Sequence, residues 1–466
     1  MRMKPVTRSI AASLLALLLL PACTPGPDYV RPAAPTAAAF KEAGTWQPAA
    51  AEEFSVAARW WTAFADPLLD SLVAQVEVDN QNLKIAEAQY RAARASLDAA
   101  RSPIFPGVTA NAARTRSENG GSGAVGTAAG TSYTAGVNLS WEVDLWGRIR
   151  RGVDSADAGL QASAADLAAA RLSLQALLAQ TYVQLRAADL QLALLARTAE
   201  AYARFLDLTR KRSAAGVASP LDVAQAETQL AAAQAQQLEA ANQRAQSEHA
   251  LAVLSGRPPA ALALPPATGL PTLPATPALL PSTLLQSRPD IVAAERRVAA
   301  ANARIGVAAA AWFPVLNLGG NLGYRNGTLD HLFETPNRFW SLGPSLALTL
   351  FDGGGRDAAV AQAEAGYDQT VASYRQAVLT AFQEVEDNLA AAHWLAQQAQ
   401  AQGRALAAAR RAREIAENQY RAGVVSALNV VSAQTGELNA EAAAIAIAAR
   451  RLSAAIQLYK NAAGKI

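Results

Sequence analysis

The chain is written twice. A segment that begins at Phe105-Pro106 returns at Phe313-Pro314, 208 positions later. Each copy runs in the same order: a short strand-like segment, a loop, a second strand-like segment, a very long proline-free helical stretch, a tight turn and a second long helix. The turn reads Gly216-Val217-Ala218-Ser219-Pro220-Leu221-Asp222-Val223 in the first copy. In the second it reads Gly423-Val424-Val425-Ser426-Ala427-Leu428-Asn429-Val430, at an offset of 207. A repeat of this size decides the architecture before any local signal does. Two strands with two long helices, doubled, cannot enclose a core by themselves.

Proline marks the boundaries of the helices. Eight prolines fall within residues 258–281, whereas none occurs between Pro106 and Pro220 or after Pro344. Residues 147–212 and 356–420 therefore read as two continuous helices, each about 100 Å long at 1.5 Å per residue. Within the first, Leu174, Leu178, Thr181, Leu185, Ala188, Leu192 and Leu195 alternate by four and three. Val378, Phe382, Val385 and Leu389 do the same in the second. Such a seam predicts helix-on-helix packing at a shallow crossing angle. Composition agrees: the chain is 51% hydrophobic but only 6% aromatic. Much of the rest is Ala, which favours helix and adds little bulk.

The strand segments carry a different period. From Tyr133 to Asp144 the odd positions are Tyr133, Ala135, Val137, Leu139, Trp141 and Val143, and the even ones are polar or Gly. Leu316, Leu318, Leu322 and Tyr324 alternate with Asn317, Gly319, Asn321 and Gly323. Leu342, Leu346, Leu348 and Leu350 alternate with Gly343, Ser345, Ala347 and Thr349. The first strand, Val108 to Arg114, is less regular. Strands of this length, apolar on one face and polar on the other, describe a transmembrane β-barrel wall. The polar loops at 117–131 and 325–338 suit its outer side. The second strand is out of step with the fourth by one residue if Asp144 is matched to Asp352; a bulge or a one-residue indel would each explain this. Four strands cannot close a barrel, and an open edge cannot sit in lipid. The missing strands must come from other copies, and a cyclic trimer would supply twelve.

The first 22 residues have the form of an export signal: Arg2, Lys4 and Arg8, then an apolar run from Ile10 to Leu20 that is too short to span a bilayer comfortably. The run ends at Leu20-Pro21-Ala22-Cys23, and Cys23 is the sole cysteine. This placing is similar to a bacterial lipobox, in which the thiol is acylated; the other reading is an ordinary signal peptide with a chance cysteine. Thr24 rather than Asp follows, which in such lipoproteins suggests the outer membrane. Three of the basic residues behind the formal charge of +3 lie in this segment, so the basic pI gives no argument for nucleic acid.

Several motifs together resemble the TolC-like outer-membrane efflux channels, and more closely their lipoprotein (NodT- and OprM-like) branch. Gly26-Pro27-Asp28-Tyr29-Val30-Arg31-Pro32 looks like that branch's N-terminal signature. Trp60-Trp61-Thr62-Ala63-Phe64-Ala65-Asp66-Pro67 and Leu69-Asp70-Ser71-Leu72 look like the start of its first helix. Ser287-Arg288-Pro289-Asp290-Ile291 opens the matching helix of the second copy, and Phe351-Asp352-Gly353-Gly354 resembles the strand-to-helix corner. The likeness covers nearly the whole mature chain. It implies an α+β membrane protein: a homotrimer with a 12-stranded outer-membrane β-barrel, four strands per chain, continued by a long periplasmic α-helical barrel. It further implies docking on a periplasmic adaptor (membrane fusion) protein and an inner-membrane pump, usually of the proton-driven RND type. The channel would be no enzyme and carry no cofactor. The expected organisation is residues 1–22, lipoprotein signal peptide; 23–58, lipid-anchored extended segment; 59–257, repeat 1; 258–283, Pro-rich linker; 284–466, repeat 2. Alternatives are the outer-membrane duct of a type I protein-secretion system and, from another class, a lipid-anchored coiled-coil scaffold with no pore.

The two tight turns would then lie at the periplasmic tip. Ser219 and Ser426 suit helix N-caps, Pro220 suits the first helical position, and Asp222 sits three after Ser219 as in a capping box. Three symmetry-related Asp222 side chains would also form a negative constriction. Asn429 holds the equivalent place in the second copy, with Ser432 following. Tyr420 matches a position that in relatives hydrogen-bonds between helices to keep the tip shut, and simple packing is the other reading. Val425 stands where some relatives have a basic partner. Gly216 and Gly423 suit left-handed helix C-caps. With Val217 and Val424 they shape the surface an adaptor would touch. Gly353-Gly354-Gly355-Arg356 superficially resembles a dinucleotide loop, but no parallel strand returns after it. His249, His331 and His393 are isolated and show no metal spacing. Arg148, Arg150 and Arg151 read as a solvated face.

Overall fold

The computed structural model describes residues 25–35, 40–43, 59–117, 130–275 and 288–462. The expected signal peptide and Cys23 lie outside the described residues. Helices α1 (Pro67–Asp79) and α2 (Gln81–Arg101) lead to strands β1 (Gly107–Ser117) and β2 (Gly130–Val143), then to α3 (Arg148–Ala214) and α4 (Pro220–Leu254). The second copy supplies α5 (Pro289–Ala309), β3 (Val315–Asn326), β4 (Arg338–Ala347), α6 (Gly355–Arg421) and α7 (Ala427–Ala462). Two compact units cut across the two copies. One comprises the chain up to Ala33 with Gln89–Ala164 and Ala293–Arg375; the other comprises Ala34–Ala88, Ala165–Val292 and Gln376–Ile466.

The first unit holds an antiparallel sheet in the order β1-β2-β3-β4. Its registers put most of the apolar positions on one face. Trp141, Val137 and Ala135 of β2 stand opposite Leu318, Leu322 and Tyr324 of β3. Leu316 and Leu322 stand opposite Leu346 and Trp340 of β4, and Val108, Ala110 and Ala112 of β1 flank Leu139, Val137 and Ala135. The other face carries Asn111, Asn138, Asn321 and Ser341, with the Asn138 amide donating to Asn111 Oδ1 at 2.9 Å. Neither outer edge, on β1 or on β4, has a partner strand among the described residues.

The parity offset between β2 and β4 needs no bulge, because the β2–β3 and β3–β4 ladders run without interruption. It is absorbed at the corners: four residues (144–147) join β2 to α3 and seven (348–354) join β4 to α6. β4 also ends earlier than its alternation suggests, leaving Leu348 and Leu350 outside it. Ala347 pairs with Val315, the first residue of β3, and the preceding Pro314 has no N–H with which to extend the ladder. Both corners are closed by their own carboxylates. Asp144 accepts from the Ile149 and Arg150 amides at 3.1 and 2.9 Å. Asp352 accepts from the Gly354 and Arg356 amides at 3.2 and 3.1 Å, across a turn in which Gly353 and Gly354 have φ of 65° and 90°. The helix start that imitates a phosphate loop is thus filled by Asp352. The arginines of the first corner are paired rather than merely solvated: Arg148 forks onto Glu142 at 2.9 and 2.6 Å, Arg150 meets Asp144 at 3.3 Å and Arg151 meets Asp28 at 3.2 Å.

Asp28 belongs to an N-terminal strap, which explains the signature motif in physical terms. Pro27 C=O accepts from Asn302, the Tyr29 hydroxyl bonds Glu295, and Arg31 Nε donates to the Tyr374 hydroxyl at 3.2 Å. Gly26, at φ 100°, crosses Gly306 so closely that a Cβ on it would lie 2.5 Å from the Gly306 Cα. Burial, then the Glu295 bond and charge, push the Tyr29 phenol well above its usual range.

In the second unit the heptad seam is the core. Leu178 and Leu185 are fully buried, and Val378 of α6 is buried. Trp60, Trp61, Phe64, Leu69 and Val73 pack with Tyr182, Leu251, Ile456 and Tyr459 in one cluster. The first helix is started by Asp66, whose Oδ1 caps Leu68 and Leu69 while its Oδ2 accepts from the Tyr182 hydroxyl at 2.8 Å. The start of the Pro-rich linker, at residues 264–267, is anchored. Buried Asp189 accepts from Arg186 at 2.9 Å, from Arg244 at 2.6 Å and from the Ala267 amide at 3.0 Å. The two arginines in turn donate to the Pro265 and Leu264 carbonyls.

Candidate functional site

The two turns that join the long helices have the same backbone. Gly216 and Gly423 have φ of 74° and 77°, a region that costs an L side chain strain and glycine none. Val217 N–H bonds the Arg212 carbonyl at 2.8 Å and Val424 N–H bonds the Gln419 carbonyl at 2.9 Å. These six-to-one bonds are the signature of a Schellman C-cap. The starts of the following helices differ. At α4 a complete capping box forms: Asp222 N–H donates to Ser219 Oγ at 3.2 Å, and Ser219 N–H and Oγ both donate to Asp222 Oδ2 at 2.9 Å. Pro220 occupies the first turn, where its missing N–H costs nothing. At α7 the backbone closes through Asn429 N–H to the Ser426 carbonyl at 3.1 Å. Asn429 and Ser432 are exposed, and Asp222 is partly exposed. Val217, Leu221, Val424 and Leu428 present apolar side chains to solvent.

Tyr420 is buried, and two residues of α3 pack on its ring. Phe205 of α3 packs on it at 5.4 Å between centroids, and the Arg212 guanidinium lies 4.4 Å over it. Arg212 also donates to the Tyr420 carbonyl at 2.9 Å, bridging the two copies at the ends of α3 and α6. Leu206, Ala226, Ala427, Val430 and Val431 complete this cluster. Among the described residues the Tyr420 hydroxyl has no hydrogen-bond partner. Neither Arg212 nor Phe205 stood out in the sequence, because each matters only through a partner 208 or 215 positions away.

Behind the turns lies a charged groove of about 290 Å³ between α3, α6 and α7. Arg197 and Arg410 reach Glu441 at 2.8 and 3.2 Å, and Arg413 binds Glu437 and, at 3.1 Å, Glu417. Burial opposes the Arg413 charge, but the hydrogen bond to Glu417 and the charges of Glu417 and Glu437 outweigh it, raising its pKa above the usual guanidinium value. Charges balance around this ladder, so it stitches helices rather than offering a site for an ion. Among the described residues no group of His, Cys, Asp and Glu is arranged to hold a metal.

Comparison with known proteins decides the family. The Outer membrane efflux protein family matches residues 72–257 and 280–464, one stretch for each copy. This chain belongs to that family. The efflux protein is 33% identical over 469 residues to a probable efflux pump outer membrane protein, TtgC of Pseudomonas putida, covering 98% of this chain and 96% of that one. It is 35% identical over 467 residues to the outer membrane protein OprJ of Pseudomonas aeruginosa, covering 97% and 95%. Among solved structures, the outer-membrane channel OprN superposes with a TM-score of 0.86 at 34% identity, covering 95% of the efflux protein and 99% of OprN. The fold is therefore TolC-like, and the efflux protein is an outer-membrane channel protein. Its sheet and its helix pairs are parts of that channel architecture.

Proposed function

We propose that three copies of this efflux protein close their four-stranded sheets into a twelve-stranded barrel in the outer membrane. The long helices form a periplasmic duct whose end is the pair of turns at Gly216 and Gly423. One observation carries this reading: a continuous sheet with an apolar face, a polar face and two edges unpartnered among the described residues. Such a sheet is stable in lipid only when its edges meet other strands. The duct passes small molecules delivered by a periplasmic adaptor and an inner-membrane pump of the proton-driven RND type; the adaptor seats on the exposed apolar side chains Val217, Leu221, Val424 and Leu428. Cys23 carries the lipid anchor. Asp222 from three protomers forms a cation-favouring constriction, and the Arg212–Tyr420 contact holds it narrow. Relatives named as pump components for antibiotics and toluene support small molecules over secreted proteins as cargo.

The test is planar-bilayer recording of the purified, detergent-extracted protein with its mass determined in solution. Unit conductance from a trimeric species is expected. A monomer, or a trimer that carries no current even with the turns mutated, overturns the channel reading in favour of a pore-free scaffold.

A further inference from the structure

The polar face of the sheet is nearly uncharged, with one exception at the end far from the helices. Its residues are mostly Asn, Ser, Thr and Gly, and Glu142, at the helix end, is neutralised by Arg148 at 2.6 Å. Arg325, next to last in β3, is the exception. Among the described residues no carboxylate lies within ion-pair distance of it; its guanidinium instead stacks on the Phe339 ring at 5.2 Å. Phe339 in turn lies over Gly323, its cross-strand partner, which pairs with Gly136. The seat is made for a ring. A Cβ on Gly323 would come within 3.0 Å of Phe339 Cζ and within 2.5 Å of the Ala135 carbonyl oxygen. Gly323 thus lets an aromatic ring lie on the polar face, and the ring holds an unneutralised guanidinium there.

We infer that Arg325, stacked on Phe339 above the Gly136–Gly323 pair, forms with its symmetry mates a ring in the barrel lumen that attracts small anions, carboxylate-bearing cargo included. The inference rests on the barrel reading, which turns the polar face inward. Rings of arginine are a general means of favouring anions in a pore. An ion about 10 Å from each of three guanidiniums would be enriched about twofold at 0.1 M salt and about fivefold at 0.01 M, by Coulomb attraction with Debye screening. The sign is opposite to that of the Asp222 constriction, so the two would favour opposite ions.

The local potential can be read without passing current through the whole duct. Asn321→Cys places a thiol on the same polar face of β3, four residues before Arg325. The trimer is treated in vesicles with anionic and cationic methanethiosulfonate reagents at 0.1 and 0.01 M salt. The thiol lies about 13 Å along the strand from its own Arg325, so the anionic-to-cationic rate ratio is expected to fall about 1.5-fold at 0.1 M on adding Arg325→Ala and about fourfold at 0.01 M. Arg325→Lys, which keeps the charge and reports on folding, should retain most of the ratio. Reaction with both reagents at a ratio indifferent to residue 325 overturns this inference alone. No reaction with either reagent overturns the barrel reading beneath it.

Discussion

Arg212→Ala is the sharpest probe of the proposed closed state. The side chain makes two contacts across the repeat, a guanidinium 4.4 Å over the Tyr420 ring and a 2.9 Å bond to the Tyr420 carbonyl. A partly buried cation–π contact contributes about 0.5–2 kcal/mol. The carbonyl bond adds less than the usual 1.5–3 kcal/mol of a charged hydrogen bond, because Gly423 N–H still satisfies that carbonyl at 3.0 Å. About 2 kcal/mol per protomer is the resulting figure, or roughly thirtyfold in the closed-to-open ratio at 1.4 kcal/mol per decade. If three protomers open together the sum is about 6 kcal/mol, some ten-thousandfold. Arg212→Lys, which keeps the charge and loses the planar fork, should fall between. Single-channel recording of the open probability measures this directly. An Arg212→Ala trimer with the parent's open probability would falsify the assignment of the closed state to this contact.

Other outcomes follow from the same geometry. Tyr420→Phe should leave the closed state unchanged within about 0.5 kcal/mol, since the lost hydroxyl is buried with no partner among the described residues, whereas Tyr420→Ala should open it; open probability reports both, and an open Phe variant would mean that the hydroxyl binds across protomers. Asp222→Asn should lower cation preference in reversal-potential measurements, while Ser219→Ala should cost about 1 kcal/mol of cap stability and leave selectivity alone; equal effects on selectivity would reduce Asp222 to a cap. Gly256→Ala should destabilise by about 2 kcal/mol or more in urea titration, because Gly256 has φ 71° and a Cβ there would meet the Asp79 carbonyl oxygen at 2.2 Å; a neutral result would contradict the packing of that turn. Cys23→Ala should abolish palmitate labelling, and persistent label would refute the lipobox.

What the sequence revealed was whatever is periodic or local. The heptad of Leu178 and Leu185 and the alternation from Tyr133 to Val143 each repeat at the spacing of their own element, so they are visible without knowing the partner. Ser219 and Asp222 are three residues apart and their bond is fixed by helix geometry alone. The contacts that hold the turns together are of another kind. Arg212 finds Tyr420, and Arg197 finds Glu441, across more than 200 residues. No spacing rule distinguishes either arginine from the many others on solvated helix faces. The end of β4 failed for a related reason: Leu348 and Leu350 keep the alternation, but a strand ends where its neighbour runs out of N–H groups, and that neighbour is Pro314.

The anchoring of the linker bears on whether the chain can be divided into its two copies. A chain cut at residue 258 would leave Asp189, Arg186 and Arg244 in the first half. It would move Leu264, Pro265 and Ala267, which they hold, to the second. The first half would expose a buried charged triad without its Leu264, Pro265 and Ala267 partners, at a cost no surface pair could offset. The join between the two copies is therefore part of what holds the first copy's helices together, and not a passive tether.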